Sequence, residues 1–293
     1  MFLKQRKSST DPCLRSLLQK AARRGFPREV EIAARRLQST GDGTWLRSRA
    51  VVITFEECWP LAQHLHLSSA PESKFSALDE VTRSEKLKDA AGLGALAFAY
   101  HEGDTSMMSL VPEQGAVRTV SEALDRPQQF FYWALSRCDS ESKATIVGAA
   151  RRYLPAATWG WDKACILAGA FLASTGDFPK FGSGPTFEGH FPYWAALDKH
   201  TPQGKDVLRR LAAELRVPYR QLIWAGFYVE STRVNALLPS IWFDAEKLWR
   251  LGRARLTLAS ATLLWEQVQP KLMDRLETSA LELRRSIEVS SLA

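Results

Sequence analysis

The stretch RAVVITFEECWPL, residues 49–61, supports two opposed readings. Residues 50–55 are apolar and β-branched, the texture of a buried strand. They run straight into Glu56 and Glu57 and stop at Pro60, as a helix with a charged last turn would. On a helical wheel Trp45, Leu46, Ala50, Val51, Val52, Ile53, Phe55, Cys58 and Trp59 surround the axis, which fits a helix buried on nearly all sides. Thr44 offers a cap and Pro60 a stop, so residues 44–59 are expected to form a buried α-helix. Arg49 and Glu56 lie two turns apart on one side. Each is therefore expected to find its partner on another element or in water.

The neighbouring segments read as helices with legible ends. Asp11-Pro12 caps and opens PCLRSLLQKAARRG, whose Leu14, Leu17, Leu18 and Ala21 share one face before Gly25 closes it. Pro27 opens PREVEIAARRLQSTG, so the two form a helical hairpin. Helical spacing returns in SEKLKDAAGLGALAFAYHEG, VSEALDRPQQFFYWALSRC, SESKATIVGAARRYLP and WDKACILAGAFLASTG, and then in KDVLRRLAAELRV and YRQLIWAGFYVES. Residues 176–204 are rich in Gly, Pro and aromatics, with one ordered piece around residues 193–197. From Asp244 onward the chain is helix-forming apart from Gly252 and Pro270. There Met273, Leu276, Ala280, Leu283 and Ile287 fit a and d positions over two heptads, a candidate docking or self-association seam. No segment alternates with period two. The expected class is all-α: a basic tail over residues 1–9, a helical domain over 10–175, a loop-rich segment and further helices over 176–250, and a helical tail over 251–293.

Composition narrows the function classes. The 293 residues are 45% apolar and 24% charged, ordinary for a globular protein with a real core. Cys13, Cys58, Cys138 and Cys165 are scattered, with neither a disulfide framework nor a zinc-knuckle spacing, which suits a reducing compartment. MFLKQRKSST lacks the apolar core of a signal peptide, and no apolar run reaches the ~18 residues of a membrane span. A cytoplasmic protein without a membrane partner is expected. The net charge of +7 is concentrated: residues 1–50 hold twelve Lys/Arg against four Asp/Glu, leaving 27 against 28 in the rest. Lys20, Arg23, Arg24, Arg28, Arg35 and Arg36 on the first two helices form either a face that neutralises nucleic-acid phosphates or an ordinary solvated surface.

Read together, CLRSLLQKAARRGFPREVEIAARRL and GDGTWLRSRAVVITFEECWPLA resemble the C-terminal region of bacterial replication-associated recombination protein A, a family of clamp-loader-like AAA+ ATPases. The matching pieces are residues 17–25, residues 34–37, and Arg49 through Glu56 and Glu57. The phrase ALDKHTPQGK, residues 196–205, is similar to one in phage-encoded relatives. The resemblance implies a helical collar that assembles into tetramers, in which the helix carrying Arg49, Glu56 and Glu57 is structural. Glu57 stands where the family has Asp, and Trp59-Pro60 replaces its Gly and the apolar residue after it. The ATPase module is absent from the residues given: there is no GxxxxGK[ST] and no acidic strand end of Walker B type.

Other constellations carry weaker chemistry. GPTFEGHF, residues 184–191, has the glycine spacing of a phosphate loop but not its Lys and Ser/Thr. Glu188, His190, Asp198 and His200 fall within thirteen residues and offer acid–base or metal chemistry, but on no readable helix face. Asp198, Lys199, His200, Thr201 and Lys205 are otherwise a loop fixed against the helical body, or one that touches a phosphate with Arg209 and Arg210. His64 and His66 read as a packed or solvated pair. Of the tryptophans, most fall at helical spacing and belong in the core. The leading expectation is a non-enzymatic accessory protein of DNA replication, recombination or repair, from a phage or bacterium. It would have no catalytic residue, cofactor or metal, and its partners would be DNA, replication or recombination proteins, and further copies of itself. Two rivals stand beside it. One is a nucleic-acid-processing enzyme using Glu188, His190, Asp198 and His200; the other is an adaptor that binds a replication factor alone.

Overall fold

Proline and glycine set the first boundaries. In the computed structural model, which describes residues 11–65, 71–234 and 236–288, α1 (Pro12–Arg24) starts where the Asp11 carboxylate accepts the N–H groups of Cys13 and Leu14. It ends at Gly25, whose φ of 74° is the left-handed cap conformation. α2 (Pro27–Ser39) returns beside it. α3 (Gly43–Cys58) follows at once and tightens into a 3-10 turn, Trp59–His64. The strand-like run is therefore a helix, with residues 50–55 all buried. Its flanks differ from expectation. The helix begins at Gly43, so Thr44 lies inside the first turn and accepts a bond from Arg47 instead of capping. Pro60 likewise does not stop the chain's winding but narrows it.

The remaining helices are α4 (Pro71–Arg83), α5 (Asp89–His101), α6 (Gln114–Asp125), α7 (Pro127–Ser136), α8 (Glu141–Tyr153), α9 (Gly160–Thr175), α10 (Pro202–Glu214), α11 (Tyr219–Gly226), α12 (Ile241–Arg253) and α13 (Leu258–Glu288). α4 has no counterpart in the sequence reading. The segment read as one helix across Arg126-Pro127 is two, because Pro127 cannot continue α6 and instead opens α7. α11 passes into a π-helical turn, Phe227–Ser231. Pro270, by contrast, is accommodated inside α13. Among the described residues the class is all-α, with isolated bridges but no strand. No helix among them is long and apolar enough to cross a membrane. His66 and the basic residues Lys4, Arg6 and Lys7 lie outside the described residues.

α5 and α9 pack at the centre of the core, which runs continuously from Cys13 to Ile287. Their approach is set by glycine: a Cβ on Gly94 would sit 2.7 Å from the backbone of Cys165. On another face of α5, Gly92 lies against the backbone of Trp242 and Phe243 at the start of α12. The heptad seam of α13 is spent within the chain. Leu276, Leu283 and Ile287 are buried in the common core, while Met273 remains exposed. The apolar stripe that suggested self-association is thus an internal packing surface.

Gly92→Ala tests this packing. Alanine in an exposed helix interior gains about 1 kcal/mol over glycine, yet here its methyl meets backbone that cannot swing aside. Urea unfolding should show a lower midpoint for the variant. A higher midpoint would mean that α5 and α12 are not in this contact.

Candidate functional site

Glu56 and Glu57 occupy the last turn of α3, where the negative end of the helix dipole disfavours carboxylates. Both are nonetheless held, because cations converge on them from three elements. Arg23 of α1 donates from Nε to Glu57 and from Nη2 to Glu56, each at 2.7 Å, and from Nη1 to the Ser231 carbonyl at 2.6 Å. Lys88, just before α5, lies 2.9 Å from Glu57. Arg49 reaches Glu56 at 3.2 Å and Asp162 of α9 at 2.8 Å. The expectation that Arg49 and Glu56 are too far apart to pair is therefore wrong: two long side chains span two turns when the core closes around them. Glu57 is 1% exposed, and its Oε2 is left without a hydrogen-bond partner.

The network extends along α1. Lys20 donates to Ser16 at 2.9 Å and to Asp198 at 2.6 Å, and Arg24 binds both the side chain and the carbonyl of Glu230 at 2.7 Å. Asp198 also accepts from Ser231 Oγ at 3.3 Å and from the backbone N–H of His200 at 2.9 Å, and its Oδ2 lies 3.1 Å from the His200 ring. The phrase ALDKHTPQGK is explained by this packing. Asp198 answers Lys20, Thr201 caps α10 by accepting from Gly204, and Gly204 is small because the carbonyl of Asp198 occupies the place of a Cβ. Lys199 lies over the rings of Trp224 and Phe227 at 4.0 and 4.1 Å. Burial brings its amine down to about 8. Beside it a cavity of about 20 Å³, lined in part by Asp198, Lys199, Glu230 and Ser231, has room for about one water.

This geometry corrects the basic face read from the sequence. Lys20, Arg23 and Arg24 are buried in ion pairs, and only Arg28, Arg35 and Arg36 are exposed. Lys20, Arg23 and Arg24 do not meet solvent, because residues 193–201 and the turn at 230–231 fold over that part of α1. Arg35 is paired with Glu31 along α2 at 2.6 Å. Lys205 is exposed on α10, Arg209 lies over Tyr219, and Arg210 is paired with Asp206.

The four-residue acid–base constellation divides. Asp198 and His200 are joined, whereas Glu188 and His190 are exposed on a loop tied to the turn at Gly25 by the bond from Phe187 N–H. Gly184 of that loop is pressed against Ser84, in no position to cradle a phosphate. No group of three His, Cys, Asp or Glu among the described residues is placed to hold a metal ion.

Lys88, Asp162, Glu230 and Ser231 belong to the network and were not singled out in the sequence. Their partners are from 31 to 208 residues away, beyond the reach of any local pattern. Exposed arginines are spread over many helices, and some of them flank one contact of α3. Ser48 of α3 donates to the Ala156 carbonyl at 2.8 Å, which joins the first half of α3 to the 3-10 turn Leu154–Ala156 that follows α8. Arg47 directly precedes Ser48, Arg151 and Arg152 lie in the last turn of α8, and Arg36 lies in the last turn of α2; all four are exposed. Arg151 lies over the ring of Tyr132 at 5.3 Å, and Tyr132 and Trp159 are 67% and 74% exposed. No protein-family model, curated protein or solved structure matches the chain.

The network has an acid signature. Burial alone would raise the Glu56 carboxyl, but Lys88, Arg23 and Arg49 outweigh it and hold it at about 2. A carboxyl lowered on folding stabilises the native state above its unfolded value of about 4.5, and that stability is lost as pH falls toward 2. Denaturation followed between pH 5 and 2 should be steeper in the wild type than in Glu56→Gln. Equal slopes would show that Glu56 is not held by these cations.

Proposed function

We propose that the chain is a non-enzymatic accessory protein of DNA replication, recombination or repair, holding DNA by its phosphates through exposed arginines of α2, α3 and α8. The observation that carries this reading is the contrast between the two sets of cations. Those of α1 are consumed by internal carboxylates, while Arg36, Arg47 and Arg151 are exposed and make no ion pair among the described residues. Uncompensated guanidinium groups suit phosphate oxygens through charge and planar hydrogen bonding. Exposed Trp159 adds an aromatic surface of the kind that tolerates any base. The resemblance to collar helices of replication-associated recombination ATPases supports the same cellular context, and an assembly with replication or recombination proteins is part of the proposal.

Binding by phosphates is sequence-independent and weakens steeply with salt. Each contact contributes about −0.9 to the slope of log K against log salt on duplex DNA. The triple variant Arg36→Ala, Arg47→Ala, Arg151→Ala should flatten that slope by about two to three, with folding nearly unchanged because the side chains are exposed. Titration of labelled duplex and single-stranded DNA at several salt concentrations measures it. Identical slopes for the two proteins, or no binding at low salt, would leave the protein-only adaptor as the better reading.

A further inference from the structure

Residues 269–284 of α13 and residues 191–194 face each other across an open groove of about 730 Å³. That volume falls in the range of about 300–1,000 Å³ that holds small ligands; the lining meets the buried network at Gln269, which donates to Glu230 at 3.4 Å, and includes none of the exposed arginines of α2, α3 and α8. Its walls are of two kinds. Tyr193 and Trp194 with Met273 and Leu281 make an apolar floor, and the last two side chains are 41% and 44% exposed. Asp274 and Glu277 make the rim; both are exposed and form no ion pair among the described residues. Arg284, the cation that lines the groove, is already held by Glu288 at 2.7 Å. Lys271 and Arg275 are held by Glu214 of α10 and do not neutralise the rim.

We propose that this groove docks a peptide segment of a partner protein in which an aromatic or aliphatic residue is flanked by Lys or Arg. A purely apolar ligand would take two carboxylates out of water without replacing their hydration, and an acidic one would be repelled. A basic segment with an apolar anchor satisfies both walls. Its anchor covers Met273 and Leu281, its cations meet Asp274 and Glu277, and a cation can also lie over the rings of Tyr193 and Trp194. The same acidic rim repels phosphate, so this surface and the arginine surface select opposite chemistries. The proposal stands whether or not the chain binds DNA.

The test uses the whole chain and two fluorescent peptides, Gly-Phe-Leu-Lys-Gly-Arg-Lys-Gly and the same sequence with Glu at its three basic positions. Fluorescence anisotropy should show saturable binding of the basic peptide and none of the acidic one. The double variant Asp274→Lys, Glu277→Lys should weaken binding at least about tenfold, and so should Ala280→Trp, which fills the groove from its wall. Circular dichroism checks that both variants keep their helicity. Equal binding of the two peptides, unchanged affinity in the charge-reversed protein, or no saturation below about 1 mM would each overturn the proposal.

Discussion

Two adjacent carboxylates end a buried helix, and that is the constraint on which the rest of the fold depends. Desolvated charge at the negative end of a helix dipole is doubly unfavourable unless cations are brought to it. Arg23 from α1, Arg49 from α3 itself and Lys88 ahead of α5 supply them. Each of these cations is fixed by a further partner or by burial, so the requirement spreads. Arg23 reaches the turn at Ser231, and Arg49 reaches Asp162 on α9. Alongside them on α1, Lys20 and Arg24 reach Asp198 and Glu230. Five cations and five carboxylates thus join the first helices to segments near residue 200 and residue 230. Such a network contributes little net stability compared with well-packed apolar groups, because desolvation opposes the attraction. Removing any one member would strand its partner's charge in the core, which is costly.

The helices were legible because their signals are local. Asp11, Pro12 and Gly25 mark the two ends of α1 directly, and the all-round apolar wheel identifies α3 against its β-branched composition. What was illegible is long-range. Nothing in QKAARRG distinguishes a solvated basic face from a buried one, since periodicity reports only that a side chain lies off the apolar stripe. Whether another element covers it depends on residues such as Asp198 and Glu230, about 180 to 210 positions further on. The seam on α13 misled for the same reason, because Leu276 and Ile287 pack within the chain. Direct contact between Arg49 and Glu56 was excluded by counting turns, which ignores how far two extended side chains lean together.

The proposed function rests on the charges that remain exposed after folding. The positive charge of the first fifty residues is partly internal; among its described residues Arg28, Arg35, Arg36 and Arg47 stay exposed, Arg35 paired with Glu31, and Arg151 of α8 adds a further exposed guanidinium over Tyr132. The buried part organises the chain without displaying charge, and the exposed part can change without touching the core. ALDKHTPQGK belongs to the first kind: Asp198, Thr201 and Gly204 each have a packing or capping reason to be there.

The interdependence of Arg23 and Glu57 is the central claim, and a double-mutant cycle measures it directly. Arg23→Met and Glu57→Leu each leave buried charge without its partner, so each should destabilise by about 3–5 kcal/mol. The double variant removes one cation and one carboxylate and keeps the network balanced, so its loss in urea unfolding should fall well short of the sum, by at least about 1 kcal/mol. Additive losses would contradict it, and would mean that the two side chains do not meet in the folded protein.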